Sequence, residues 1–170
     1  MEQALIAIVG AVVGILLTNG LRLVLDARER RTRARDIEVA LRAEIRSHRR
    51  ALELFVTTDY ADEAMEAIVR GGDVPFAPRK AEPAIFNAVT PQIHIVAGEV
   101  IDAVVLYYGQ YASLRSFLDE MRSPEFAALA SDRKAAAFRD YLRVGRVALD
   151  LADDAIDRIG AALGDRNGAQ

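Results

Sequence analysis

Residues 4–35 read ALIAIVGAVVGILLTNGLRLVLDARERRTRAR. The first part of this stretch, residues 4–21, carries no charge and would span roughly 27 Å as a helix, close to the hydrocarbon thickness of a bilayer. A cleaved signal peptide would place positive charge before the apolar run, but the short segment that precedes it contains one acidic residue and no basic one. A buried helix of a soluble protein would need partners on every face. The stretch therefore predicts an uncleaved transmembrane anchor over residues 1–25.

Positive charge follows the apolar run on one side only. This arginine collar consists of Arg22, Arg28, Arg30, Arg31, Arg33 and Arg35. Because basic residues beside a span stay in the cytoplasm, the N-terminus is predicted outside and the rest of the chain inside, after a basic juxtamembrane helix over residues 26–36. Each arginine contributes about 1 kcal/mol near anionic lipid headgroups, so the membrane is the first expected partner. The composition, rich in arginine and alanine, indicates a bacterial source, and the predicted location is the bacterial inner membrane.

A small-residue motif lies inside the predicted span. Gly10 and Gly14 form a G-x-x-x-G pattern, which lets two helix backbones approach closely in lipid. Glycine is also common in monomeric spans. The pattern leaves two interpretations open: a homo-oligomer associated through this face, and a monomeric anchor.

The chain beyond the anchor predicts an all-α fold. Apolar residues recur at three- and four-residue spacing over 26–58, 98–121 and 132–163, and no stretch alternates in the manner of a strand. Each of these long helices has one apolar face that needs a partner. The three are therefore expected to pack as an antiparallel, coiled-coil-like helical bundle, with the transmembrane helix continuing into the first of them.

Shorter segments complete the predicted domain. Helical pieces are expected over 59–70 and 83–97, separated by a loop rich in glycine and proline. Gly164 is expected to end the last helix. The sequence thus predicts a cytoplasmic helical bundle over residues 37–164 and a disordered tail over 165–170.

The composition excludes several kinds of site. The chain has no cysteine, so it has neither disulfides nor thiolate metal ligands. Its net charge is −3 and its positive charge lies against the membrane, which argues against nucleic-acid binding. Four acidic residues lie together in the last predicted helix, at Asp150, Asp153, Asp154 and Asp157. One helix cannot surround a cation, so no metal or other cofactor is predicted. These acids are expected on a solvated or salt-bridged face, with Asp154 and Arg158 as an i,i+4 pair, and pairing across the bundle with Arg42, Arg46, Arg49 or Arg50 is the version to test.

Histidines and tyrosines supply the remaining candidates. His48 lies on the apolar face of the first long helix and is predicted to pack in the core. The residues of a candidate pocket are Asn87, His94, Tyr107, Tyr108 and Tyr111. Two interpretations of the tyrosines remain open, namely core packing with polar hydroxyl tips and a groove for a ligand or peptide. No serine lies in a G-x-S-x-G context and no phosphate-binding loop is present, so no catalytic residue is assigned.

Residues 85–108 read IFNAVTPQIHIVAGEVIDAVVLYY. This segment resembles a pattern in uncharacterised bacterial membrane proteins that have one N-terminal span and a cytoplasmic helical domain. The matching residues are Phe86, Ala88, Ile95, Val96, Glu99 and Tyr108. The sequence departs from the pattern at His94, where glycine is usual, and at Ala97, where proline is usual. No activity accompanies this resemblance, which implies architecture and location rather than chemistry.

These observations favour a protein that is not an enzyme. The leading hypothesis is a membrane-anchored helical scaffold or interaction module whose bundle binds another protein near the bilayer. The alternative is a regulatory or sensing protein that signals through association of its spans. A membrane-bound enzyme with a scattered site is the third hypothesis, and it would need a pocket that joins His94, Asn87 and a carboxylate.

Overall fold

The chain folds into helices joined by short connections in the computed structural model, which describes residues 2–57, 59–71 and 82–168 and the side chains of 22–57, 59–71 and 82–164. The α-helices are α1 (Glu2–Val56), α2 (Asp59–Val69), α3 (Ala84–Val89), α4 (Gly98–Met121), α5 (Pro124–Ala127) and α6 (Ser131–Gly168), and a 3-10 helix (Thr90–Ile95) follows α3 directly. No strand occurs in these ranges. The predicted all-α fold is confirmed.

The first helix is uninterrupted from the predicted span into the bundle. Residues 22–33 of α1 are exposed on every side, and Ala34 is the first buried residue. We call residues 22–33 the stalk; at about 1.5 Å per residue it is roughly 18 Å long. The bundle therefore begins three residues before the predicted boundary at 37, because Ala34 already packs against the other helices.

The predicted span is described in its backbone from residue 2 onwards. The side chains of residues 1–21, which include Gly10 and Gly14, lie outside the described residues. Among the residues that are described, no helix combines the length and the apolar character needed to cross a bilayer.

Three long helices form the bundle, and α6 runs antiparallel to both of the others. Along α1 and α6, Arg49 contacts Asp153 while Val56 approaches Gly145, so the two chain directions are opposite. Between α4 and α6, the side-chain amide of Gln110 donates a hydrogen bond of 3.1 Å to the carbonyl of Val144, and the two residues lie about equally far along their helices from the connection that joins them. It follows that α1 and α4 are parallel, a detail that the simple antiparallel prediction did not contain.

The core consists of two clusters stacked along the bundle. The stalk-proximal cluster includes Ile37, Leu41, Ile45, Val100, Val104 and Ile159. The distal cluster includes Leu52, Val56, Ile68, Leu114, Phe138 and Leu142. Each cluster contains buried apolar side chains from α1, α4 and α6. Apolar burial therefore holds the three long helices together.

The helix ends follow local signals with two exceptions. Gly71 adopts a φ of +87° after α2, as expected of a helix-ending glycine, and the hydroxyl of Ser123 accepts a hydrogen bond of 3.1 Å from the amide of Phe126 at the start of α5. Thr90 does not cap the 3-10 helix; its hydroxyl instead donates to the carbonyl of Phe86 at 2.7 Å.

The second exception is the end of the last helix. Gly164 does not stop α6, which continues to Gly168. Among the described glycines only Gly71 has a positive φ, so Gly164 lacks the left-handed conformation that ends a helix. The predicted disordered tail over 165–170 is therefore helical as far as residue 168, and residues 169–170 lie outside the described range.

Candidate functional site

Glu44 is a buried carboxylate in the stalk-proximal half of the bundle. It lies on α1 and is 8% exposed. Its carboxylate accepts hydrogen bonds from the amide of Ile85 at 2.8 Å, the amide of Phe86 at 3.0 Å and the hydroxyl of Tyr108 at 2.6 Å. Because Pro83, which precedes α3, makes no side-chain cap, the N-terminus of α3 is capped by a carboxylate from a different helix.

Aromatic rings surround this carboxylate. The ring of Phe86 stacks on Tyr108 with centroids 4.0 Å apart and planes at 16°, and the imidazole of His48 stacks on Tyr111 at 4.3 Å and 4°. Tyr107 meets Tyr108 edge to face at 4.9 Å. We call these residues the Glu44 cluster: Glu44, His48, Phe86, Tyr107, Tyr108 and Tyr111. It joins α1, α3 and α4 into one unit.

Burial keeps the phenols of the cluster protonated. Desolvation raises the pKa of Tyr107 and Tyr108 far above the ordinary value, and the hydrogen bond to Glu44 raises that of Tyr108 further. Burial raises the pKa of Tyr111 to about 12, although the charge of Arg115 acts in the opposite direction. The hydroxyl of Tyr107 has no hydrogen-bond partner among the described residues. The cluster thus contains donors that do not ionise near neutral pH, which suits a structural role better than proton transfer.

Raising the pH above about 10 is expected to unfold the protein, because the unfolded chain then releases phenolic protons that the folded chain retains. The stabilisation is complete below pH 10 and is lost as the pH approaches the folded-state pKa values, which burial raises to about 12 for Tyr111 and Tyr141. Ultraviolet absorbance of tyrosinate and far-ultraviolet circular dichroism should therefore change together in one alkaline transition. Tyrosinate absorbance that reaches its full amplitude near pH 10 while the helical signal stays intact would contradict this prediction.

The residues of the predicted pocket do not come together. Tyr107, Tyr108 and Tyr111 are buried side by side in the interior, whereas Asn87 and His94 are exposed on α3 and the 3-10 helix. On α3 the inward positions belong to apolar neighbours of Asn87, chiefly Phe86, so the amide points away from the tyrosines. Of the two interpretations, the tyrosines adopt core packing with polar tips.

His48 packs in the core as predicted, and its imidazole stacks on the ring of Tyr111. The sequence places Glu44 four residues before His48 on one helix face, but it does not predict that Glu44 caps α3. A carboxylate that caps a helix some forty positions away leaves no local pattern, and only its place on the inward face four residues before His48 could have drawn attention to it.

Two of the four acidic residues singled out on α6, Asp153 and Asp154, form ion pairs. Asp153 accepts hydrogen bonds from Nε and Nη2 of Arg49 across the bundle, at 2.5 and 3.3 Å, and Asp154 pairs with Arg158 one turn along its own helix. The predicted pairing across the bundle is confirmed for Arg49. Within the described ranges no group of three histidine, aspartate or glutamate side chains is arranged to hold a metal ion.

The surface of the described residues carries two further features. The arginine collar, from Arg22 to Arg35, lies along the exposed stalk and the helix turn after it, and contact with lipid headgroups stays a prediction. A shallow depression of about 350 Å³ on α2 is lined by Met65, Glu66, Val69 and Arg70. None of the predicted pocket residues lines it.

Comparison of the chain with protein-family models, with curated proteins and with solved structures yields no match. The resemblance of residues 85–108 to single-pass bacterial membrane proteins therefore rests on those residues alone, and it stays a prediction.

Proposed function

We propose that the protein is a non-enzymatic scaffold, anchored in a bacterial inner membrane by residues 4–21, that presents its helical bundle to another protein on the cytoplasmic side. The observation that carries this proposal is the continuity of α1, which joins the apolar run to the bundle without a break. A helix with no hinge transmits position and orientation from the membrane to the domain, as an anchor for a scaffold must.

The composition of the stalk supports this placement. Leu23, Val24 and Leu25 continue the apolar surface beyond the predicted span, and Leu23 is 70% exposed. Large exposed aliphatic side chains beside arginine suit the boundary between acyl chains and headgroups, where apolar groups leave water and guanidinium groups reach phosphates. The remaining stalk would hold the bundle a short distance above the headgroups.

The Glu44 cluster supports a role without catalysis. Both oxygens of Glu44 already accept hydrogen bonds, and the neighbouring phenols stay protonated. A general base needs a free acceptor within reach of a substrate, and a cluster committed to joining three helices does not offer one. As it is packed in the structure, the cluster therefore joins helices and leaves no acceptor free for a substrate.

The arginine collar provides the test of orientation. Changing all six collar arginines to glutamine is expected to convert a uniform orientation into a mixture, because the positive charge that retains the C-terminal side in the cytoplasm is lost. The measurement is the ratio of two reporters fused to the C-terminus of the full chain, one active only in the cytoplasm and one active only in the periplasm.

A matched control changes six exposed arginines of the bundle to glutamine: Arg46, Arg50, Arg133, Arg139, Arg143 and Arg146. It alters the net charge of the chain equally but lies beyond the distance over which charge sets orientation, about 15–20 residues from the span. The control should retain the wild-type reporter ratio. An unchanged ratio for the collar variant, or equal changes for both variants, would argue against the anchor.

A further inference from the structure

Residues 82–95 cross α1 and α4 as a separate layer, which we call the strap. It consists of α3 and the 3-10 helix, neither of which contains a fully buried residue. Ile85, Phe86, Val89 and Ile93 are only partly buried against the stalk-proximal cluster. The strap therefore covers the apolar surface of α1 and α4 without being enclosed by it, unlike the three long helices.

Its polar attachments lie near the start of α3, while Ile93 and Ile95 of the 3-10 helix pack against the stalk-proximal cluster. The Glu44 carboxylate accepts hydrogen bonds from two amides at the start of α3, and the Phe86 ring stacks on Tyr108. An exposed ion pair of 3.1 Å between Arg115 and Glu82 adds little, since such pairs are weak in water. Glu44 and the ring of Tyr108 thus form a seat for the beginning of a short helix.

The joint at the other end favours movement as a unit. Val96 and Ala97 have extended backbone conformations between the 3-10 helix and α4. Val96 is buried in the stalk-proximal cluster, and the carbonyl of Ala97 accepts hydrogen bonds from the amides of Val100 and Ile101 at the start of α4. Rotation about the backbone bonds that precede this carbonyl keeps both hydrogen bonds, so the strap can leave its seat while the long helices keep their packing. Departure would uncover the face of Tyr108, the oxygens of Glu44 and the aliphatic side chains between two parallel helices.

We propose that this seat is the protein-binding groove of the scaffold and that the strap is its built-in occupant. The seat recognises the start of a helix that lacks its own cap, because a carboxylate accepts the free amide hydrogens there, and it recognises an aromatic ring in the first turn, because the ring stacks on Tyr108. The partner that fits is a protein presenting a short amphipathic helix of this kind, which displaces the strap. This inference rests on the proposed scaffold function and names its binding surface.

Native-state hydrogen exchange of the full chain in detergent micelles tests whether the strap opens alone. The amides of residues 85–95 are expected to exchange about a hundredfold faster than the buried amides of α6, with no dependence on low concentrations of denaturant. A strap that exchanges at the rate of α6, with the same dependence on denaturant, would overturn the proposal because the strap would then be part of one cooperative core.

A labelled peptide with the sequence of residues 82–95 tests the seat itself. Phe86→Ala in the full chain loosens the strap and leaves the seat intact, so the peptide should bind this variant at least about tenfold more tightly than the wild-type chain, whose strap competes. Glu44→Gln also loosens the strap but removes an acceptor oxygen of the seat, so this variant should show no gain. Asn87→Ala, at an exposed position of the strap, should behave as the wild-type chain does.

The peptide carrying Phe86→Ala is the second control, and it should bind the Phe86→Ala chain at least about tenfold more weakly than the unchanged peptide, since it lacks the ring that stacks on Tyr108. Equal binding of the two peptides, equal binding to the Phe86→Ala and Glu44→Gln chains, or no binding at all would overturn the proposal. These measurements use purified chains and do not depend on orientation in a membrane, so their failure is distinguishable from failure of the reporter experiment on the arginine collar.

Discussion

Replacing Glu44 by alanine is expected to lower the free energy of unfolding by about 2–3 kcal/mol, because the change removes an acceptor and leaves its donors behind. The hydroxyl of Tyr108 and the amides of Ile85 and Phe86 all donate to this one carboxylate. A polar group left buried without a partner costs about 1–3 kcal/mol, and some of the released groups recover water if the strap opens. The expected loss of unfolding free energy is therefore smaller than three times the cost of one buried donor without a partner.

The measurement is urea unfolding of the full chain in detergent micelles, followed by circular dichroism. Glu53→Ala provides the matched control on the same helix. Its carboxylate is about half exposed and pairs with Arg49 at the surface, so the control should lose less than about 1 kcal/mol. If the two variants lose similar amounts of unfolding free energy, the hydrogen bonds that Glu44 accepts do not stabilise the protein as expected.

Gly145→Ala is expected to destabilise the protein by about 1–2 kcal/mol, although alanine favours a helix more than glycine does. A β-carbon at position 145 would lie 2.7 Å from a methyl carbon of Val56 and 3.7 Å from one of Leu52. Val56 is buried and β-branched, and its side chain has one strongly preferred conformation in a helix, so it cannot easily move aside. Of the described glycines, Gly145 is the one that leaves the least room for a β-carbon, because α1 lies close to α6 at this position.

Gly109→Ala is the control for Gly145→Ala, and it should change stability in the opposite direction. A β-carbon at position 109 would meet nothing within 4 Å on the exposed face of α4, so the gain in helix propensity, about 0.5–1 kcal/mol, should appear in full. Combining Gly145→Ala with Val56→Ala should cost less than the sum of the single changes by at least about 0.5 kcal/mol, because the smaller side chain makes room. Additive losses would show that the close approach is not the cause.

Much of the helix layout could be predicted because the signals are local. The bounds of α4 agree with the predicted 98–121, and Gly71 ends α2 through a left-handed conformation that glycine adopts readily. Ser123 before Pro124 likewise predicts the start of α5. Gly164 has the same residue type as Gly71 but continues the helix, since a glycine permits a left-handed conformation without requiring one.

The relations between distant segments could not be predicted in the same way. Glu44 can cap α3 only because the strap folds back against α1. No local sequence pattern near Glu44 or near α3 predicts this contact. The sequence shows that Gly145 lowers the helix propensity of α6. It does not show that the side chain of Val56 lies against Gly145 in the folded protein. The three tyrosines lie within about one turn of a helix, so the sequence alone groups them. The sequence does not show that Asn87 and His94, on the preceding segment, are exposed instead of packed against the tyrosines.

The most direct measurement for the whole account is the labelling of single cysteines in intact cells, and the cysteine-free chain makes it clean. Glu2→Cys and Ser113→Cys place one thiol before the predicted span and one on the exposed face of α4. With a maleimide that reaches the periplasm but does not cross the inner membrane, the account predicts labelling of the first in intact cells and of the second only after lysis. Labelling of Ser113→Cys in intact cells would contradict it, as would release of the intact protein from membranes by alkaline carbonate.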